Sequence, residues 1–571
     1  MAQEDVQSAE YQFSKKQILW GLIAIFAVYG TVAFHVQTMM VARPKIAADL
    51  DGLSLYGWSA AIPSLIMALS TVIFGKFSDM YGRRIMLMIS LVTALVGTVM
   101  SALSPNFVFL IVATSVAALG AGAKMPLVFA VVGDLFPPAK RSKWIGLLNI
   151  PLGVFTLTGP TLGGYILEVW HWRYLFWMAV PLLIFCMVTV PIGVPSPANR
   201  DSTRKIDVKG CIWVALAAST AMISFSLTRD FGWLSIPVIS LLGISVVFWI
   251  TFLRIESGAK EPVLDPAVLR NRTFSTVALA TFFSSFGTMG MMLYFPMLIQ
   301  GVQKISATLN GFIITPYGVL TAFMGVPVGY MIARSGRFKW MYIAGYGILA
   351  LSMFGLIFFN AGISIVPQNA VAVSQWIVEV LSSVIGYDDI PIIRPVFVWS
   401  IIVALLTGLG YGVIPTINTV VVQNAVPKRL LGVAMGAIFF FLMLGSAISP
   451  VILDSALNVT YTKNLSQSLP EGLRNVADEK IMDALDDPQI LLSEPAKENL
   501  RNTLEGEDSS GDELYMQTEE AIRHSLEAGL RIVFLISAIL MLLAFLIICT
   551  IPGNPTGTED QPVGRQEADK G

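Results

Sequence analysis

The chain has 571 residues, 55% of them hydrophobic and only 13% charged, against about 25% charged in an average soluble domain. A soluble fold of this size cannot hide that much apolar surface, which excludes a cytosolic enzyme, a disordered chain and a fibrous protein. The formal charge of −1, from 37 basic and 38 acidic side chains, leaves no basic footprint for nucleic acid.

The mean hydropathy of +0.70 points to a polytopic membrane protein, because a run of roughly 20 apolar residues crosses a bilayer as a helix. In chain order the apolar runs predict spans at 18–41, 56–79, 84–104, 106–134, 144–168, 173–194, 209–228, 233–253, 273–299, 309–333, 339–361, 396–424, 431–456 and 528–551. That is fourteen, an all-α membrane protein with both termini on one side. The first run is too long for a signal-peptide core and lacks a small-residue cleavage site, so it is expected to remain as a span. Cys186, Cys211 and Cys549 sit in or beside apolar runs without metal-ligand spacing and read as small buried hydrophobes.

Lys and Arg orient the spans. With a cytoplasmic N-terminus, inside segments hold 23 basic residues and the short outside connections six. Both termini are therefore expected in the cytoplasm, and the chain in a cell (inner or plasma) membrane. Two outside connections are long. Residues 362–395 carry an apolar stretch that reads as re-entrant or interfacial. Residues 457–526 carry 15 acidic and 6 basic side chains, a solvated cap or, alternatively, a cation-attracting vestibule. The piece 505–513 reads as disordered, and Asn458 and Asn464 open glycosylation-type triplets.

The chain repeats itself. Gly75, Asp79, Gly82, Arg83 and Arg84 follow span 2, and Gly329, Ala333, Gly336 and Arg337 follow span 10 at the same spacing. Gly120, Gly122 and Pro126 in span 4 match Gly410, Gly412 and Pro415 in span 12. Spans 1–6 thus correspond to spans 9–14, with spans 7–8 inserted. The expected organisation is a tail (1–17), a six-helix half (18–194), an inserted pair (195–272), a second six-helix half (273–551) and a tail (552–571). Repeats of this kind build secondary transporters, with the substrate site between the halves.

The loop from Gly75 to Arg84 resembles the signature loop of the major facilitator superfamily. Gly146, Gly159, Pro160, Gly163 and Gly164 in span 5 resemble the antiporter motif of its exporters. Trp172-Arg173-Tyr174-Leu175-Phe176, Glu261-Pro262 and Pro296…Gln300 are similar to the fourteen-helix drug:proton antiporter branch. The resemblance implies a 6+2+6 major-facilitator fold with two pseudo-symmetric halves. It also implies a cytoplasmic gate of Asp79 and Arg83 or Arg84, latching when the carrier opens outward.

Elementary physics gives these residues parallel readings. Gly75 and Gly82 permit close approach and a tight connection. Asp79 can sit at a facing helix N-terminus, and Arg83 or Arg84 can reach Asp134. The alternative is a charge cluster that only sets orientation. Pro160 bends span 5, or serves close packing alone.

The sequence also departs from the branch. His35 stands where the branch has an Asp in span 1, Thr114 and Ala117 stand where span 4 has Arg and Gln, and Met80 replaces a basic residue. Lys124, ten residues from the end of span 4, lies about 15 Å deep, and intramembrane ionisable residues are functional hypotheses by default. Lys124 is expected to line the central cavity with His35, and Arg43 to mark the outer end of that substrate or proton pathway. The alternatives are a snorkelling lysine and a core imidazole. A cavity with Lys124 and His35 and no carboxylate suits an anionic, zwitterionic or neutral amphipathic solute.

These features lead to an expected secondary active efflux carrier working by alternating access on an amphipathic or anionic small molecule, with protons as a possible coupling ion. No cofactor, metal or nucleic acid is expected, no enzyme activity, and no partner beyond solute and bilayer, the chain acting as a monomer. The alternatives are an uptake carrier for an organic anion and a non-transporting membrane sensor or assembly partner.

Overall fold

The computed structural model describes residues 14–50, 56–195, 208–259, 265–304, 307–357, 395–427, 430–470 and 511–551, with Leu485, Glu498, Leu500 and Arg501. The described chain is helical: α1 (Lys15–Asp49), α2 (Tyr56–Tyr81), α3 (Arg83–Ala102), α4 (Phe107–Leu135), α5 (Pro138–Leu147), α6 (Asn149–Val169), α7 (Arg173–Gly193), α8 (Val208–Phe231), α9 (Ile236–Gly258), α10 (Pro266–Arg270) and α11 (Arg272–Met289). The second part holds α12 (Ala307–Phe323), α13 (Gly325–Ser335), α14 (Lys339–Ile357), α15 (Pro395–Ala425), α16 (Leu431–Ser468) and α17 (Gly511–Cys549). Between Met289 and Val302, α11 continues through two π-helical turns, Gly290–Tyr294 and Leu298–Val302.

Twelve of these helices are long and apolar enough to cross a membrane. The two other expected spans coincide with α5–α6 and α8, where a helix break and a shorter apolar run (Lys209–Phe225) fall short of that measure. Local chemistry sets many ends. Asn106 caps α4 by accepting from Phe109 N at 2.8 Å, and Asn271 caps α11 by accepting from Phe274 N at 3.1 Å. Such caps satisfy N–H groups that no preceding turn can serve. Gly82, at φ 94°, turns the chain between α2 and α3, where a side chain would be strained.

Helix partners follow the internal repeat. In the first set α1 packs on α4, α6 and α7, α2 on α4, and α3 on α4 and α7. In the second set α11 packs on α15, α16 and α17, α12 on α15, and α14 on α15 and α17. The correspondence is element for element. The inserted α8 and α9 pack on each other, with α8 against α2 and α16. The two sets meet where α2 crosses α16 and where α5 crosses α13. Both crossings are glycine seams. A Cβ on Gly75 would lie 2.6 Å from Gly432 O, and one on Gly146 would lie 3.3 Å from the Cα of Gly329.

Several ends differ from the sequence reading. α1 reaches Asp49, so Arg43 lies inside a helix rather than at its end. α16 and α17 run for 38 and 39 residues, about 57 Å at 1.5 Å per residue, nearly twice a hydrocarbon core of about 30 Å. Their outer parts replace much of the loop expected at 457–526. The acidic surface there lies partly on helix, because Leu457, Tyr461 and Leu465 of α16 and Ile522 and Leu526 of α17 are buried in one apolar cluster. Tyr461 also donates to Leu485 O at 2.7 Å. Residues 511–513, expected within a disordered piece, open α17. Asn458 and Asn464 sit on α16, each bonding one turn back on the helix. Asp454 also lies inside α16. Residues 362–394, and with them most of the expected re-entrant segment, fall outside the described residues, as do residues 1–13 and 552–571.

The tight crossing of α3 and α4 gives a first test. A Cβ on Gly97 would press on the Ala117 backbone, whereas one on Gly243 would meet nothing within 4 Å. Gly97→Ala is therefore expected to cost about 1–3 kcal/mol, read as a lower thermal midpoint in detergent, while Gly243→Ala leaves the midpoint unchanged.

Candidate functional site

Between the two helix sets lies a cavity of about 480 Å³. The first set supplies Tyr29, Met125, Phe129 and Asn149; the second supplies Thr281, Ser284, Tyr411, Asn418 and Met443. Among the described lining residues there is no charged side chain. The polar groups are ordered by one another. Asn418 Nδ2 donates to Thr281 Oγ1 at 2.8 Å, and its Oδ1 accepts from the Tyr342 hydroxyl. Asn149 Nδ2 reaches across the sets to Thr416 Oγ1 at 3.0 Å. Uncharged donors and acceptors in an aromatic and thioether wall form the usual lining of a small-molecule pocket, and the volume falls in the usual range.

The cavity has a floor towards the end of the bundle where α1 begins. Phe129 and Phe439 meet there from opposite sets with ring centroids 5.2 Å apart, and Gln423 Nε2 donates to Phe129 O at 2.9 Å. Below them Asp79, at the end of α2, faces the first turn of α16. Its Oδ1 accepts from Gly432 N at 3.0 Å and its Oδ2 from Val433 N at 2.8 Å. A carboxylate on orphan N–H groups at the positive end of a helix dipole is favourable on both counts. Arg83 Nη1 lies 2.5 Å from Asp79 Oδ1, and Arg83 Nε lies 3.2 Å from Asp134 Oδ2. Arg83 Nη1 also donates to Ser78 Oγ.

The structure thus brings together Gly75, Asp79, Gly82, Arg83 and Asp134 of the expected gate. Arg84 makes no hydrogen bond or ion pair with a described residue. Gly146 packs at the α5–α13 seam. Gly159, Pro160, Gly163 and Gly164 lie on α6; of these, only Gly163 is among the residues whose side-chain surroundings are described, and it is buried.

The expectation for Lys124 is corrected. It does not line the central cavity. It is 2% exposed, packed among α1, α3, α4 and α7, with Nζ donating to Thr31 Oγ1 at 2.9 Å. The reason is the helical register. Met125 and Phe129 face the other set, so Lys124, one residue before Met125, is turned about 100° away into its own half. His35 and Arg43 also miss the central cavity. They line a side chamber of about 130 Å³ with Ser59, Ser64 and Thr114. That chamber shares Val36, Ser64 and Met67 with the central cavity. His35 also borders a smaller void beside Lys124.

Sequence reasoning searched for charges and so missed Tyr29, Asn149, Tyr411, Asn418 and Gln423. The available signal was amide and phenol side chains within apolar runs, since such groups need partners in a membrane interior.

Residues 22–450 match the family description "Major Facilitator Superfamily", and the chain belongs to that superfamily. Among its relatives, the chain is 29% identical over 350 residues to the "Multidrug transporter protein MdtP" of Bacillus subtilis, covering 60% of this chain and 63% of the relative. It is 28% identical over 332 residues to "Multidrug resistance protein 3" of the same species, covering 57% and 63%. The match thus spans less than two thirds of these relatives. The crystal structure of the human organic anion transporter MFSD10 (TETRAN) shares the fold, with a TM-score of 0.55, 15% identity and coverage of 93% of this chain and 99% of the other.

The latch at the cavity floor can be tested by access. Removing one partner of a buried ion pair costs about 3–5 kcal/mol, so Asp79→Ala is expected to free that end of the bundle. In a cysteine-free background carrying Leu152→Cys, labelling by an impermeant maleimide from the side bearing the N-terminus should rise several-fold. Unchanged labelling would show that Asp79 does not hold the floor shut.

Proposed function

We propose that this chain is a secondary active efflux carrier that moves uncharged amphipathic molecules by alternating access. The observation that carries this reading is the uncharged, aromatic and amide-lined cavity between two repeat-related helix sets, floored at the end where α1 begins by contacts that cross the sets. The names of the multidrug relatives support export. The lysine that favoured an anionic substrate lies outside the cavity lining, so the amphipathic half of the sequence expectation is kept and the anionic half dropped. Nothing in the cavity favours an uptake carrier for an organic anion or a sensor.

The domain organisation is the one read from the repeat: two six-helix halves, an inserted pair, fourteen spans in all, and a single cavity served by one monomer. The floored end is cytoplasmic by the Lys and Arg distribution, with both termini there, and the membrane is the cell membrane. The described conformation then has its cytoplasmic side closed. Opening requires Asp79 to leave the α16 N-terminus and the glycine seams to separate as rigid surfaces. Gly146 on α5 makes one of those seams with Gly329 on α13. Protons drive the cycle, with His35 as their seat, because its imidazole borders the side chamber that adjoins the cavity.

Reconstitution into proteoliposomes under an imposed pH gradient tests the reading. Uncharged amphipaths are expected to accumulate on the side the gradient dictates, and a protonophore should abolish this. Flux of anionic compounds alone would overturn it. Asn418→Leu is expected to lower transport about tenfold, as loss of roughly 1.4 kcal/mol of hydrogen bonding would. His35→Gln should keep downhill flux but lose gradient-driven accumulation.

A further inference from the structure

Lys124 is a buried charge that this transport cycle does not use. It sits 11 residues before the end of α4 at Leu135 and 17 after its start at Phe107, about 17 and 26 Å along the axis. Neither interface is within reach of its stem, so it cannot snorkel. Its described partner is a neutral hydroxyl, Thr31 Oγ1. That hydroxyl gives its own proton to Val28 O at 2.7 Å, so its oxygen is left to accept from Nζ. An ammonium has three donors. Two of them have no acceptor among the described residues, and no described carboxylate lies within ion-pairing distance.

A void of about 20 Å³ adjoins the ammonium. Four helices of the first half wall it: α1 with Thr31 and His35, α3 with Thr98, α4 with Lys124, and α7 with Leu182 and Leu183. Alanines at 94, 117, 121 and 179 make the room. The volume holds about one water-sized body. It is too small for a carboxylate, sulfate or phosphate. Burying an unneutralised ammonium costs several kcal/mol, and an opposite charge with good geometry offsets that.

We propose that this void binds one small inorganic anion of the halide class, with Lys124 as its counter-ion and the His35 and Thr98 side chains on its other sides. The ion enters through the adjoining side chamber, which His35 shares with the void and Arg43 lines, a positive approach that concentrates anions. Because the void touches four helices of one half and none of the other, the ion ties that half together as a rigid unit without touching the carried solute. The proposal does not depend on the identity of that solute or on proton coupling.

The test uses the full chain purified in detergent. Its thermal midpoint is compared in sodium chloride, bromide, sulfate and gluconate at equal ionic strength, and chloride binding is followed by 35Cl line broadening. Chloride and bromide are expected to raise the midpoint by about 2 °C or more over gluconate, saturably, as ligand linkage requires. Bromide should compete away the 35Cl broadening. Lys124→Met should lose both effects. Ala121→Leu, which fills the void and leaves the lysine in place, should lose them too, so the proposal stays testable if Lys124→Met does not fold. Equal midpoints in all four salts without line broadening would overturn it and leave the void to water. Stabilisation by sulfate equal to that by chloride would overturn it as a general salt effect, and so would a chloride response retained in either variant.

Discussion

The two halves of this protein are held at one end by a carboxylate placed on a helix terminus. Asp79 accepts from Gly432 N and Val433 N and is itself held by Arg83, which also reaches Asp134. Each part depends on the others. The carboxylate can approach the α16 backbone only because the α2–α16 crossing is lined by Gly75 and Gly432. Arg83 can turn back onto Asp79 only because Gly82 takes a positive φ between the helices. Charge-assisted hydrogen bonds of this kind contribute roughly 1.5–3 kcal/mol each, so this small set adds substantially to the apolar contacts of the floor above it.

The internal repeat makes the asymmetry of the latch informative. The second crossing, α5 on α13, has the glycines of the first: Gly146 and Gly329 play the parts of Gly432 and Gly75. It lacks the acid, because Ala333 stands at the position of Asp79. Among the described residues, the first seam therefore carries a carboxylate and a guanidinium, and the second has no carboxylate at the matching position. Separating the first leaves both groups to find new partners.

The fold was legible because its signals are coarse. A run of apolar residues long enough to span, and glycine spacing repeated at Gly75 and Gly329, need no knowledge of packing. The gate pair Asp79–Arg83 was legible for the same reason: loop residues with obligatory charge have few places to go. The deep site was not. Depth along α4 sets Lys124 well inside the helix, 11 residues before its end, but depth says nothing about which neighbour a helix face meets. One residue of register separates Met125, which faces the cavity, from Lys124, which faces its own half. The uncharged cavity lining was illegible for the opposite reason. Asn418 and Tyr411 resemble any other interior polar groups until the partner helices are in place. The ends of α16 and α17 were missed because acidic surface residues masked a helix pair whose buried face is carried by a few residues such as Leu457, Tyr461 and Leu526.

The length of that pair has a mechanical side. α16 carries the terminus that Asp79 caps, and the same unbroken helix continues past the far surface beside α17. The helix has one weak point on the way, Pro450, whose ring removes a backbone hydrogen bond. A shift of the turn that Asp79 caps would therefore reach the far end through a joint at Pro450 rather than through a straight rod.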